Sequence, residues 1–119
     1  MKVVEIGVRH NSDGVKSLRV RLSDGINSVW STLAGDDSVT EEFWSVPENE
    51  HITQINIWHD NLVRAIEFFA INSASNIYGN IAGTKHEEKF EGDLTGTTFM
   101  GFHGMAGSYM DAIGLIVRT

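Results

Sequence analysis

Apolar residues recur at every second position in two early stretches of the chain, Val4-Glu5-Ile6-Gly7-Val8-Arg9 and Leu18-Arg19-Val20-Arg21-Leu22. Successive side chains of a strand point to opposite faces, so each stretch offers one apolar and one polar face. Ile52 to Trp58 follows the same rule, with Ile55 and Ile57 on one face and Gln54, Asn56 and Trp58 on the other. Turn-forming clusters separate these runs: Asn11-Ser12-Asp13-Gly14, Ser23-Asp24-Gly25, Asp60-Asn61 and Gly104 to Gly107. The run Leu62 to Ala70 fits two patterns. Leu62, Ile66 and Phe69 share a helical face that Asp60 or Asn61 would cap, and periodicity alone leaves helix and strand open.

An internal repeat favours the strand. Val15-Lys16-Ser17-Leu18-Arg19-Val20, Val63-Arg64-Ala65-Ile66-Glu67-Phe68 and Met110-Asp111-Ala112-Ile113-Gly114-Leu115 each read apolar, polar, small, aliphatic, variable, apolar. Their starts lie 48 and 47 residues apart. Ile6-Gly7-Val8, Ile55-Asn56-Ile57 and Met100-Gly101-Phe102 precede them as a second common piece. A strand pair occurring three times implies a pseudo-threefold set of small sheets. Further strand-like pieces around Ser31-Thr32-Leu33, Glu42-Phe43-Trp44, Ile77-Tyr78-Gly79 and Glu88 to Leu94 extend the first two units to four strands each. The third unit runs out after Val117, so its sheet is expected to be incomplete.

Composition narrows the picture. A chain of 119 residues is expected to form one domain, residues 1–119, burying roughly two-thirds of its unfolded surface. Twelve glycines against one proline fit an all-β fold with many tight turns. The absence of cysteine excludes disulfides, thiolate metal sites and cysteine nucleophiles. A formal charge of −7 disfavours nucleic acid and anionic lipid as partners and leaves a neutral ligand as the better expectation. No apolar run reaches spanning length, so no membrane insertion is expected. The start MKVVEIGVRH has no signal-peptide core, which points to a cytoplasmic protein or an excised domain of a secreted one.

The segments Ile52 to Ile57, Val63 to Phe69, Ile77 to Asn80 and above all Phe102 to Gly114 resemble the jacalin-related lectins. The last contains a Gly-x-x-x-Asp pattern from Gly107 to Asp111, immediately before the third repeat. The resemblance runs from Val3 onward. It implies the mannose-binding lectin type of β-prism I fold, three Greek-key-like sheets with pseudo-threefold symmetry, and a non-catalytic carbohydrate-binding function. Carried over by position, it implies a shallow hexose site. Asp111 would accept two hydrogen bonds from adjacent hydroxyls, and the Ser108 and Tyr109 backbone N–H groups would donate to sugar oxygens. Gly107 would allow close backbone approach, Tyr109 would lay its ring on the sugar, and His59, Asp60 and Asn61 would form a side wall.

Asp111 aligns with Arg64 and Lys16, which carry no acceptor, so one site per chain is expected. The family's glycine-rich first strand and its cleaved N-terminal glycine for galactose have no counterpart in Met1-Lys2-Val3-Val4. Mannose or glucose type recognition is therefore expected over galactose. A single such site binds near millimolar, about −4 kcal/mol, so a homodimer or higher oligomer through exposed strand edges would add the multivalency. The alternative is an assembly or targeting module of a larger, for instance pore-forming, protein.

Other features carry plainer expectations. His10, His59 and His103 sit near similar strand ends but lack zinc-ligand spacing, and no metal or other cofactor is expected. Asp36-Asp37 and His86-Glu87-Glu88 read as solvated turns. Gly101, Gly104 and Gly107 form no dinucleotide fingerprint. Of Trp30, Trp44 and Trp58, at least two are expected to pack in the core or on sheet faces. No nucleophile motif supports an enzyme.

Overall fold

The structure is a computed structural model and describes residues 2–32, 39–90, 98–106 and 110–118. Among these, ten strands form three antiparallel sheets and no helix occurs. Strands β1 (Lys2–His10), β2 (Val15–Ser23), β3 (Ser28–Thr32) and β4 (Glu41–Ser45) form the first sheet in the order β3-β2-β1-β4. Strands β5 (Ile52–His59), β6 (Val63–Ala70), β7 (Tyr78–Gly79) and β8 (Thr84–Lys89) form the second in the matching order β7-β6-β5-β8. The third holds only β9 (Thr98–Ala106) and β10 (Met110–Arg118). The all-β fold class is as the sequence implies, the third sheet has two strands among the described residues, and Val63–Ala70 is a strand. Three expectations need correction: Gly104 lies inside β9 rather than in a turn, the fourth strand of the second unit begins at Thr84, not Glu88, and His86-Glu87-Glu88 is part of that strand rather than a turn. Asp36-Asp37 lies outside the described residues.

The repeat extends to the hydrogen-bond register. In the first hairpin Val3 pairs with Leu22 and Glu5 with Arg21, which leaves Val4 as an extra residue. In the second, Ile52 pairs with Ala70 and Gln54 with Phe69, leaving Thr53. In the third, Phe99 pairs with Val117 and Gly101 with Ile116, leaving Met100. Each of these is a β-bulge, a device that bends a strand and sharpens its twist. The carbonyls of Val4 and Thr53 even take the same role, accepting from Val46 N–H and Phe90 N–H at 2.9 Å. The register also shifts one alignment: Ile6 and Ile55 correspond to Phe102, so His103 matches Gly7 and Asn56 rather than His10 and His59.

Alternation then builds the core. Ile6, Val8, Leu18 and Val20 from the first sheet and Ile55, Val63, Ile66 and Phe68 from the second are almost completely buried. Phe68 is its hub. Its ring stacks on Trp44 at 6.0 Å, tilts against Tyr78 at 6.3 Å and meets the Phe102 edge at 6.2 Å, touching all three sheets. Phe102, Ile113 and Leu115 pack on this core from the third sheet but are only partly buried. The tryptophans divide as expected: Trp58 is buried, Trp44 packs on the core, and Trp30 lies against the Arg19 guanidinium at 4.2 Å.

Candidate functional site

Each hairpin carries a second bulge, beside its loop. Arg9 pairs with Ser17 and His10 with Val15, so Lys16 is the extra residue. Trp58 pairs with Ala65 and His59 with Val63, which leaves Arg64. Met105 pairs with Ala112 and Ala106 with Met110, which leaves Asp111. The three residues that the sequence repeat aligns thus occupy one backbone position in three copies. A bulge turns its extra residue out of the regular alternation, a common way of aiming a side chain at a loop.

The second copy shows what that position does with a cation. Arg64 Nε donates to Asp60 Oδ1 at 2.8 Å, and Nη2 donates to Asn61 Oδ1 at 3.3 Å. Its Nη1 donates to the Asp13 carbonyl at 3.0 Å, which ties the loop after β5 to the loop after β1. Asp60 Oδ1 also accepts from Leu62 N–H at 3.0 Å. The Arg64 hydrogen bond, followed by that of Leu62, holds the Asp60 carboxyl below the usual carboxylate range. Behind the loop, Gly79 and Gly83 take positive φ, 104° and 79°, and press against the carbonyls of Arg64 and His59, where a Cβ would collide.

His59, Asp60 and Asn61 therefore come together as expected, but around a guanidinium rather than as a free wall. The oxygens of Asp60 and Asn61 named above face Arg64, and His59 is exposed at the end of its strand. In the sequence Arg64 reads only as a residue unable to accept; its role as a clamp emerges from its contacts with Asp60, Asn61 and the Asp13 carbonyl. Gly107, Ser108 and Tyr109 lie outside the described residues, and Asp111 is described by its backbone alone. The first loop is closed by its own Asx turn, with Asn11 Oδ1 accepting from Asp13 N–H at 2.9 Å and Gly14 N–H at 3.3 Å.

The histidines separate. His10 Nε2 lies 2.9 Å from Glu42 Oε1 and its ring rests 5.4 Å from Tyr78, whereas the His103 ring covers Gly114. Among the described residues no three His, Asp or Glu side chains gather as a metal would require.

The family model for the jacalin-like lectin domain matches residues 1–116. A protein named jacalin-related lectin 3 from Arabidopsis thaliana is 27% identical over 124 residues, covering 95% of this chain. The chain spans 20% of that protein's length. Among solved structures, a galactose-specific lectin from Artocarpus hirsuta in complex with methyl-α-D-galactose superposes with a TM-score of 0.81 at 19% identity, covering 100% of this chain and 93% of that one. AcmJRL, a mannose-binding jacalin-related lectin from Ananas comosus, also gives 0.81, at 17% identity over 98% of this chain and 82% of its own.

Proposed function

Since the chain belongs to the jacalin-like lectin domain family, we propose that it is a non-catalytic carbohydrate-binding module that recognises a hexose through one loop, residues 107–111. The observation that supports this is the shared bulge: of Lys16, Arg64 and Asp111, only Asp111 carries acceptors for sugar hydroxyls. In this reading Asp111 accepts from two adjacent hydroxyls, while the Ser108 and Tyr109 N–H groups donate. Gly107 keeps the backbone accessible, Tyr109 covers the ring, and the His59-Asp60-Asn61 loop, clamped by Arg64, stands beside it. The preference for mannose or glucose over galactose rests on the sequence reading. The family members named above include one galactose-specific and one mannose-binding lectin.

A glycan array of the wild type and Asp111→Asn tests the site. Binding that disappears with the substitution and is competed better by methyl α-mannoside than by methyl α-galactoside is expected. Binding that survives Asp111→Asn and is lost in Arg64→Ala rejects the assignment.

The third sheet favours a second reading, in which the prism also serves assembly. Strands β9 and β10 each leave one edge unpaired among the described residues, and Ile116 and Val117 are exposed. Open edges of long apolar strands pair readily with other chains, so a homodimer through this sheet is the expected form. A stable monomer in light scattering at high concentration rejects it.

A further inference from the structure

At the opposite end of β1 from its loop, about 20 Å away at the rise of a strand, the first bulge opens a cavity of about 320 Å³. This lies at the lower end of the range of pockets that hold small molecules, about 300–1,000 Å³. Its apolar lining comes from Val4, Val46 and Pro47. Its polar lining is rich in donors. Lys2 Nζ gives one hydrogen bond, to the Glu50 carbonyl at 3.2 Å, and Arg21 gives Nε to Glu5 at 3.0 Å. An ammonium has three donors and a guanidinium five, so most of this capacity is unassigned among the described residues. Ser45, Glu48 and Asn49 also line the cavity, and their side chains make no hydrogen bond or ion pair among the described residues. The matching place in the second repeat differs: Phe69 stands where Arg21 does, and Lys89 where Ser45 does.

Against the overall charge of −7, this cavity gathers two cations with open donors, Lys2 and an Arg21 that Glu5 pairs only through Nε, and such donors suit a ligand carboxylate. The unpartnered hydroxyl, amide and Glu48 carboxylate at the rim call for hydroxyls on the same ligand. We propose that this cavity binds an acidic sugar residue, a hexuronate, with its carboxylate on Lys2 and Arg21 and its ring on Val4, Val46 and Pro47. Its hydroxyls meet Ser45, Glu48 and Asn49. The site is independent of the 107–111 loop, and with that loop it makes one chain bivalent, with a neutral sugar at one end and an acidic one at the other.

Amide-resolved NMR titration of the full chain tests this, with methyl β-D-glucuronide and methyl β-D-glucoside as probes at low salt. The glucuronide is expected to shift the amides of residues 2–5 and 45–49 saturably, and the glucoside to bind there about tenfold more weakly, the loss expected for one charge-assisted hydrogen bond. Lys2→Gln, at the half-buried start of β1, should weaken the glucuronide by a similar factor without changing the spectrum beyond the cavity and the Glu50 contact. Arg21→Gln gives a second check. Asp111→Asn should leave these shifts intact, whatever it does at the loop. Equal response to both probes, no response at residues 2–5 and 45–49, unchanged affinity in both cation variants, or loss of these shifts in Asp111→Asn each overturns the proposal. The last result would leave the loop site standing, so the two readings fail separately.

Discussion

The hairpins β5–β6 and β9–β10 have the same pair of bulges at corresponding places, yet their surroundings differ. The first is flanked by β7 and β8, its inward residues are almost fully buried, and its loop is closed by Arg64, Asp60 and Asn61. The second has no flanking strand among the described residues and leaves Ile116 and Val117 exposed. It also carries Asp111 at the position that Arg64 fills. Register and inward apolar residues thus define a scaffold common to all repeats, while the bulge residue differs from loop to loop. In the second repeat it serves structure. In the third, on the proposed reading, it serves binding, on the hairpin with the least support. Binding elements are commonly drawn from the less stable parts of a fold.

Core truncation is the strongest way to test this asymmetry. Phe68 and Leu115 are equivalent in register, opposite Ile55 and Phe102. Phe68→Ala removes the ring that joins three sheets and is expected to cost about 3–5 kcal/mol in urea unfolding. Leu115→Ala, at a half-buried site, is expected to cost about 2 kcal/mol or less. Equal costs would mean that the third sheet is as fully packed as the second. At the bulges the order reverses. Asp111→Asn is expected to weaken sugar binding by about 1.5–3 kcal/mol, the value of a hydrogen bond to a charged group, with little change in stability. Isothermal titration with the sugar found on the array, alongside unfolding curves, separates these effects.

Much of this scaffold was legible in the chain because a β repeat writes itself twice, as alternation and as spacing. Val15, Val63 and Met110 align in sequence, and the register places all three immediately before equivalent bulge residues. The upstream piece of the third copy was misaligned because Met100-Gly101-Phe102 imitates Ile6-Gly7-Val8. The match ignored Met100 as a bulge residue, and a bulge changes the count without changing the pattern. The candidate wall was legible as a turn, Asp60-Asn61, but not as a clamped one. Arg64 bonds the Asp13 carbonyl across 51 residues, and no local pattern announces such a contact. The Lys2–Arg21 cavity was invisible for the same reason, since its lining comes from three strands and the connection that follows β4.

Arg64→Ala probes the clamp itself. Exposed ion pairs contribute little, so a stability loss of no more than about 1 kcal/mol is expected. The loops after β1 and β5 should nevertheless lose their tie, seen as faster amide exchange at Leu62, whose N–H donates to Asp60. Unchanged exchange there would show that Gly79, Gly83 and the β5–β6 ladder hold the loop without Arg64.

The smallest expected effect is a pH dependence. Asp60 has a folded pKa below its unfolded value, chiefly through the Arg64 hydrogen bond. Its contribution is therefore present above the unfolded carboxylate pKa, about 3.9. It is lost as pH falls through the lower folded value. The wild type should destabilise more than Asp60→Asn over that acid window, and the two should run parallel from pH 5 to 7. Arg64→Ala should remove most of the difference, because the pKa depression has Arg64 as its main cause. If Arg64→Ala and the wild type instead gave the same acid limb, the Leu62 N–H would be the group that holds Asp60 ionised, and the clamp would be a contact without electrostatic weight.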